Sequence, residues 1–114
     1  MELTGKCLDD AKNHPEKKLY SNWDEFLQLP ESFQQTRIID FFDLSGIYIL
    51  IDTSCNEFYY IIKEKQLGSE FPKKYISESE YDERINCYNA AIKHANHIYN
   101  SKKILWQFTT DQNS

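Results

Sequence analysis

Residues Ser77–Lys102, SESEYDERINCYNAAIKHANHIYNSK, decide the fold. Tyr81, Ile85, Tyr88, Ile92, Ala95 and Tyr99 recur at alternating spacings of four and three, which an α-helix gathers into one apolar stripe. The other side offers Asn86, Asn89, Lys93, Asn96 and Asn100, all expected to face water. Such a helix needs an apolar surface to cover, so it should lie on a sheet or on a pair of helices. Its start falls between Ser77 and Asp82. Ser77 with Glu80, and Ser79 with Asp82, have capping-box spacing, and Glu78, Glu80, Asp82 and Glu83 put negative charge at the positive end of the helix dipole. Lys102 and Lys103 mark its end with the favourable sign.

Working outward, the surface to be covered is found upstream. Ile47 to Asp52 and Glu57 to Glu64 are β-branched and aromatic runs separated by Thr53–Asn56, a hairpin with an expected four-residue loop. Both faces of the hairpin are apolar in the middle, so both are expected to be covered. Phe71 to Ile76 reads as a third strand, confined by Pro72 to an edge. Before the hairpin, Ser45-Gly46 stops a helix running from Pro30 to Asp43. A shorter helix, Asn22 to Gln28, opens with a capping box of Ser21 and Asp24, and a first one spans 3–14 with Thr4 as its N-cap. After the long helix, Ile104 to Phe108 is expected as a short last strand or a docked tail. The fold class is therefore α+β: short N-terminal helices, then an antiparallel three-stranded sheet packed by one long C-terminal helix. Residues 1–114 form a single domain, with 1–18 and 109–114 expected to be flexible.

Composition narrows the function classes. Eighteen acidic residues against thirteen Lys and Arg give a formal charge of -5, which opposes binding to phosphate backbones or anionic membranes and favours a basic partner. Cys7, Cys55 and Cys87 are odd in number and never paired as C-x-x-C, so they are expected as free thiols in a reducing cytoplasm. The longest apolar run, Ile47 to Ile51, is far short of the roughly 20 residues that span a bilayer.

No residue grouping spells out a chemistry. Cys87 and His94 fall within about 20° of each other on the long helix, but His97 lies about 60° further round, so a metal would need ligands from elsewhere. Cys55 near Asp52 and Cys7 near His14 lack the local signature of an activated nucleophile. The pairs Asp9-Asp10 and Asp40-Asp43 read as solvated helix faces, with Asp40 the one open to partial burial. With three glycines there is little material for a phosphate-binding loop. The expectation is a non-enzymatic protein with no cofactor and no metal. A nucleic-acid reading stands beside it, because a three-stranded sheet followed by a helix is also the plan of plant Apetala-type and integrase arm-binding domains. Lys63, Lys65, Lys73 and Lys74, with Tyr59 and Tyr75, would serve it, against Glu57, Glu64 and Glu70 in the same region.

LTGKC at Leu3–Cys7, IIDFFDLSGI at Ile38–Ile47 and AAIKHANHIYN at Ala90–Asn100 resemble short uncharacterised proteins of phages and prophages of gut-type bacteria. None of these stretches is a catalytic motif. The resemblance implies an origin in phage and host conflict, where small acidic proteins such as anti-CRISPR or anti-restriction inhibitors occupy a host defence or regulatory protein. The residues first expected to meet a basic partner are Glu78, Glu80, Tyr81, Asp82 and Glu83.

Overall fold

The computed structural model describes residues 3–16 and 18–113, with side chains described as far as Ser101. The elements are α1 (Gly5–Asn13), α2 (Trp23–Leu27), α3 (Glu31–Leu44), β1 (Ile47–Ser54), β2 (Glu57–Glu64), β3 (Lys73–Ile76) and α4 (Arg84–Asn113). The strands form one antiparallel sheet in the order β1-β2-β3, and α3 and α4 pack on it. This is the α+β arrangement that the hydrophobic pattern predicts.

The hairpin is tighter than expected. Cys55 and Asn56 alone form its loop, with φ of 56° and 125°, the left-handed geometry that matches the twist of a two-residue hairpin. The ladder therefore runs on through Thr53↔Phe58 and Ser54↔Glu57. Register then sorts the side chains. Ile49, Ile62 and Tyr75 share a row beneath the helices, whereas Leu50, Ile61 and Ile76 share a row on the opposite face. Tyr48, Leu50 and Ile76 on that outer face are 41%, 45% and 57% exposed. Among the described residues only one face of the sheet is covered, because α3 and α4 pack on the same side of it.

The core joins Ile38, Phe41 and Phe42 of α3 to Ile47, Ile49, Tyr60 and Ile62 of the sheet and to Cys87, Ala91, Ile92, Ala95, Ile98 and Tyr99 of α4. The buried arc of α4 is wider than the expected stripe and rotated from it, because α1, α3 and the sheet all touch this helix. Tyr81, Ile85 and Tyr88 are only half-buried.

The asparagines correct the expected solvent face. Asn86 and Lys93 are exposed, but Asn89, Asn96 and Asn100 are interior contacts. Asn96 accepts from Thr4 N–H through Oδ1 at 2.9 Å and donates through Nδ2 to Thr4 Oγ1 at 2.9 Å. Asn100 Oδ1 accepts from Cys7 N–H at 2.8 Å, and its Nδ2 donates to the Thr4 carbonyl at 3.1 Å. Two of the orphan N–H groups that open any helix, those of Thr4 and Cys7, are thus satisfied in α1 by a different helix, while the Thr4 side chain makes no cap bond of its own. Gly5 opens α1 with φ of 59°, where a Cβ would stand 3.1 Å from Asn100 Nδ2. On the α3 side, the buried Gln35 donates to Ile85 O at 3.1 Å and Asn89 Oδ1 at 2.9 Å, and Asn89 donates to Glu31 at 2.9 Å.

Three boundaries differ from expectation. Asn22, not Ser21, caps α2, accepting from Glu25 N–H at 3.2 Å. The long helix begins at Arg84, with Cys87 N–H donating to the Glu83 carbonyl at 3.2 Å; Ser77 and Ser79 precede it and cap nothing. Its end lies beyond the lysines, since the backbone of Ile104–Phe108 continues the helix to Asn113 in a stretch without Pro or Gly. Asp10 is also not solvated: it is 5% exposed, accepts from Tyr99 Oη, and lies 3.4 Å from Lys6 Nζ.

Candidate functional site

The chain between β3 and α4 is where the sheet departs from regularity. Ile76 pairs with Ile61, and Ser77 follows in step, its N–H donating to Tyr60 O at 3.0 Å while its Oγ accepts from Tyr60 N–H at 3.2 Å. An unbroken ladder would then put Ser79 opposite Phe58. Tyr81 stands there instead, bonded to Phe58 in both directions at 2.8 Å. Two extra residues are thus taken up between Ser77 and Tyr81, and Glu78, Ser79 and Glu80 bulge from the edge, as happens next to many binding sites.

Under the bulge lies a cavity of about 490 Å³ lined by Tyr60, Tyr75, Ile76, Glu78, Ser79, Tyr81 and His94. Tyr60 and Tyr75 reach it because their strand positions face α4, and His94 closes it from the helix. Tyr60 Oη and His94 Nδ1 share a hydrogen bond of 3.0 Å. Both phenol rings meet the imidazole edge-on, at 5.7 Å for Tyr60 and 5.1 Å for Tyr75. Burial, and then the neighbouring His97, hold the His94 imidazole below its ordinary value against the pull of Glu78, which favours the neutral ring. Burial likewise pushes the Tyr60 phenol up. Tyr75 Oη donates to Glu64 at 3.0 Å, and Lys73 Nζ sits 5.1 Å from the Tyr75 ring.

Beside the bulge, on the outer face of the sheet, Glu57 meets further carboxylates. A hydrogen bond shared with Glu80 raises the Glu57 carboxyl above its ordinary value, with the charges of Glu80 and Asp82 and some burial adding to the effect. Among the described residues the ion pairs are those of Lys6; none neutralises Glu57, Glu78, Glu80, Asp82 or Glu83. The nearest guanidinium, that of Arg84, lies over the Phe58 ring at 5.2 Å.

Of the residues expected to meet a partner, Glu78 and Tyr81 line the cavity, whereas Glu80 and Asp82 crowd Glu57, outside the cavity's lining. Glu83 supplies the carbonyl that starts α4. Glu78 and Glu80 are thus bulge residues, Tyr81 is bridged to Phe58, and Asp82 and Glu83 lead into α4. Sequence reasoning did not single out Tyr60, and it read Tyr75 towards nucleic acid and His94 towards a metal rather than towards this cavity. The available signal was parity, since Tyr60 and Tyr75 fall on the same strand face as the core isoleucines.

The other candidates are drawn apart. Cys87 is buried, its thiol pushed up by that burial, His94 is engaged by Tyr60, and His97 is exposed. Among the described residues no three His, Cys, Asp or Glu side chains group as a metal site. Cys55 is exposed at the hairpin tip while Asp52 is held by Thr53 N–H and Tyr59 Oη. Asp40 is exposed. Lys63 and Lys74 lie in one row of the outer sheet face, but Lys73 and Tyr75 are on the inner side, so the basic residues do not form one surface.

A second cavity of about 460 Å³ separates α3 from the start of α4, between Ile39, Asp40, Arg84, Ile85 and Tyr88. No helix among the described residues is long and apolar enough to cross a membrane. Comparison of the chain with protein-family models, with curated proteins and with solved structures returns no match.

Proposed function

We propose that this protein acts by binding, without a reaction of its own, and that the cavity under the bulge takes a cationic side chain from a basic protein surface. The observation that carries this reading is the pairing of three tyrosine rings and the Glu78 carboxylate in one cavity, with the carboxylates of Glu57, Glu80 and Asp82 grouped beside the same bulge. An ammonium or guanidinium over a tyrosine face gains about 0.5–2 kcal/mol. The neighbouring carboxylates add attraction that raises the rate of encounter and falls with salt. In the reading that the phage resemblance suggests, the partner is a host defence or regulatory protein inside the bacterial cell, which is occupied rather than modified.

The test uses defined probes. Oligo-lysine and oligo-arginine peptides titrated into the labelled protein should shift the resonances of Tyr60, Tyr75, Tyr81 and His94, and Glu78→Gln and Tyr81→Ala should each weaken binding at least fivefold. The charge-matched control for Glu78→Gln, Glu25→Gln on α2, should not. Shifts spread evenly over all acidic surfaces, or unchanged affinity in the Glu78 and Tyr81 variants, would remove the pocket from the reading.

The nucleic-acid alternative rests on Lys63 and Lys74 lying side by side on the open sheet face with Tyr48. A mobility shift with duplex DNA that vanishes in Lys63→Glu/Lys74→Glu would favour it.

A further inference from the structure

We propose that β1 pairs with β1 of a second copy of this chain, antiparallel about a two-fold axis at Leu50, so that two three-stranded sheets become one continuous sheet. The sheet has two edges, and they are not equivalent. β3 is short, is preceded by Pro72, carries Lys73 and Lys74 and ends in the bulge, all of which discourage a further strand. β1 is eight residues long, IYILIDTS, with no proline or lysine and no charge between Leu44 and Ile51. It has none of the devices that usually blunt an exposed edge.

Hydrogen-bond parity fixes which backbone groups are open. The two-residue turn closes on the pair Ser54↔Glu57, and at the far end Lys65 N–H donates to Gly46 O at 2.8 Å. Bonded and non-bonded pairs alternate in an antiparallel ladder, so the even-numbered residues of β1 face β2. Ile47, Ile49, Ile51 and Thr53 turn their N–H and C=O groups to the open side. Consistently, Thr53 N–H is met by the Asp52 carboxylate at 2.8 Å. The N–H groups of Ile47, Ile49 and Ile51 have no acceptor among the described residues.

The strand is complementary to itself in one register above others. With the axis at Leu50, Ile49 stands opposite Ile51 of the second copy and Ile47 opposite Thr53, so every open residue finds a partner. Moving the axis to Ile49 or Ile51 strands one end of the ladder. On the outer face the same register sets Leu50 against Leu50 and Tyr48 against Asp52. The only charge on the strand then meets a phenol, and no like charges are opposed. The exposed row Ile76–Ile61–Leu50 runs on into its counterpart in the second copy. This fit of the strand to itself argues for a second copy over a foreign strand.

Sedimentation of the full chain between about 1 and 200 µM should show the mass rising from 13.6 kDa towards twice that value. Leu50 would be a non-bonded pair across the axis, with Cα atoms about 4.5 Å apart, inside the range a disulfide spans. In a Cys55→Asn background, Leu50→Cys should therefore cross-link to a covalent dimer under mild oxidation, whereas the exposed control Thr36→Cys should not. Leu50→Lys should raise the dissociation constant at least tenfold with an unchanged circular dichroism spectrum. A single-chain mass throughout, a dimer indifferent to Leu50→Lys, or equal cross-linking at positions 36 and 50 would overturn the proposal.

Discussion

Replacing Asn100 by alanine tests whether α1 is held by the asparagines of α4. The substitution removes the acceptor of Cys7 N–H and the donor to the Thr4 carbonyl. The Thr4 carbonyl keeps its bond from Leu8 N–H at 3.2 Å, so the energetic weight falls on the Cys7 amide. Cys7 is wholly buried, and a buried donor left without a partner costs about 1–3 kcal/mol. Alanine returns about 0.5 kcal/mol of helix propensity. The net loss is about 1.5 kcal/mol, a fall in Tm of about 6–12 °C for a domain of this size. Urea unfolding followed by circular dichroism should show a lower midpoint at an unchanged slope, and the Cys7 amide should exchange faster with solvent. Asn86→Ala is the matched control, because Asn86 lies on the same helix but is exposed, and it should be neutral or slightly stabilising. Equal stability of the two variants would refute the clamp.

Tyr99→Phe should destabilise the fold by about 1.5–3 kcal/mol in chemical denaturation, because it removes a hydrogen bond to the carboxylate of the buried Asp10. The lowered value of His94 means that, below about pH 6.5, the unfolded chain binds a proton the folded chain refuses. Stability should therefore fall as the pH drops from 7 towards the lower folded value, and His94→Gln should flatten that slope in unfolding curves. Glu57 and Asp43, raised in the fold, act with the opposite sign further down, so the comparison belongs above pH 5.5. Glu80→Gln should bring the Glu57 carboxyl back towards its ordinary value in a carbon-detected NMR titration; an unmoved midpoint would show that the two side chains do not meet.

The hairpin and the existence of the long helix were legible because β-branched runs and a four-three spacing report burial directly. The start of α4 was not. Ser77 and Ser79 carry cap chemistry, yet Tyr81 is held to Phe58 by two backbone bonds, and a strand contact overrides a local propensity. The asparagines misled for a related reason: a polar row reads as solvated unless it is known that another helix will bring its unpaired amides there. The three stretches behind the phage resemblance meet in space, Thr4 and Cys7 on Asn96 and Asn100, and Phe41 and Phe42 against Tyr99 at 5.4 and 6.4 Å. They account for how the chain is held together. The cavity draws only His94 from them, so they gave no pointer to Tyr60 beside it.

The bulge at Glu78–Glu80 is anchored on both sides, by Ser77 on Tyr60 and by Tyr81 on Phe58. Side chains between those anchors can be exchanged without retuning strand register or core packing. Changes there would cost the fold little, and this short span is where affinity for one target could drift towards another while the scaffold stays constant.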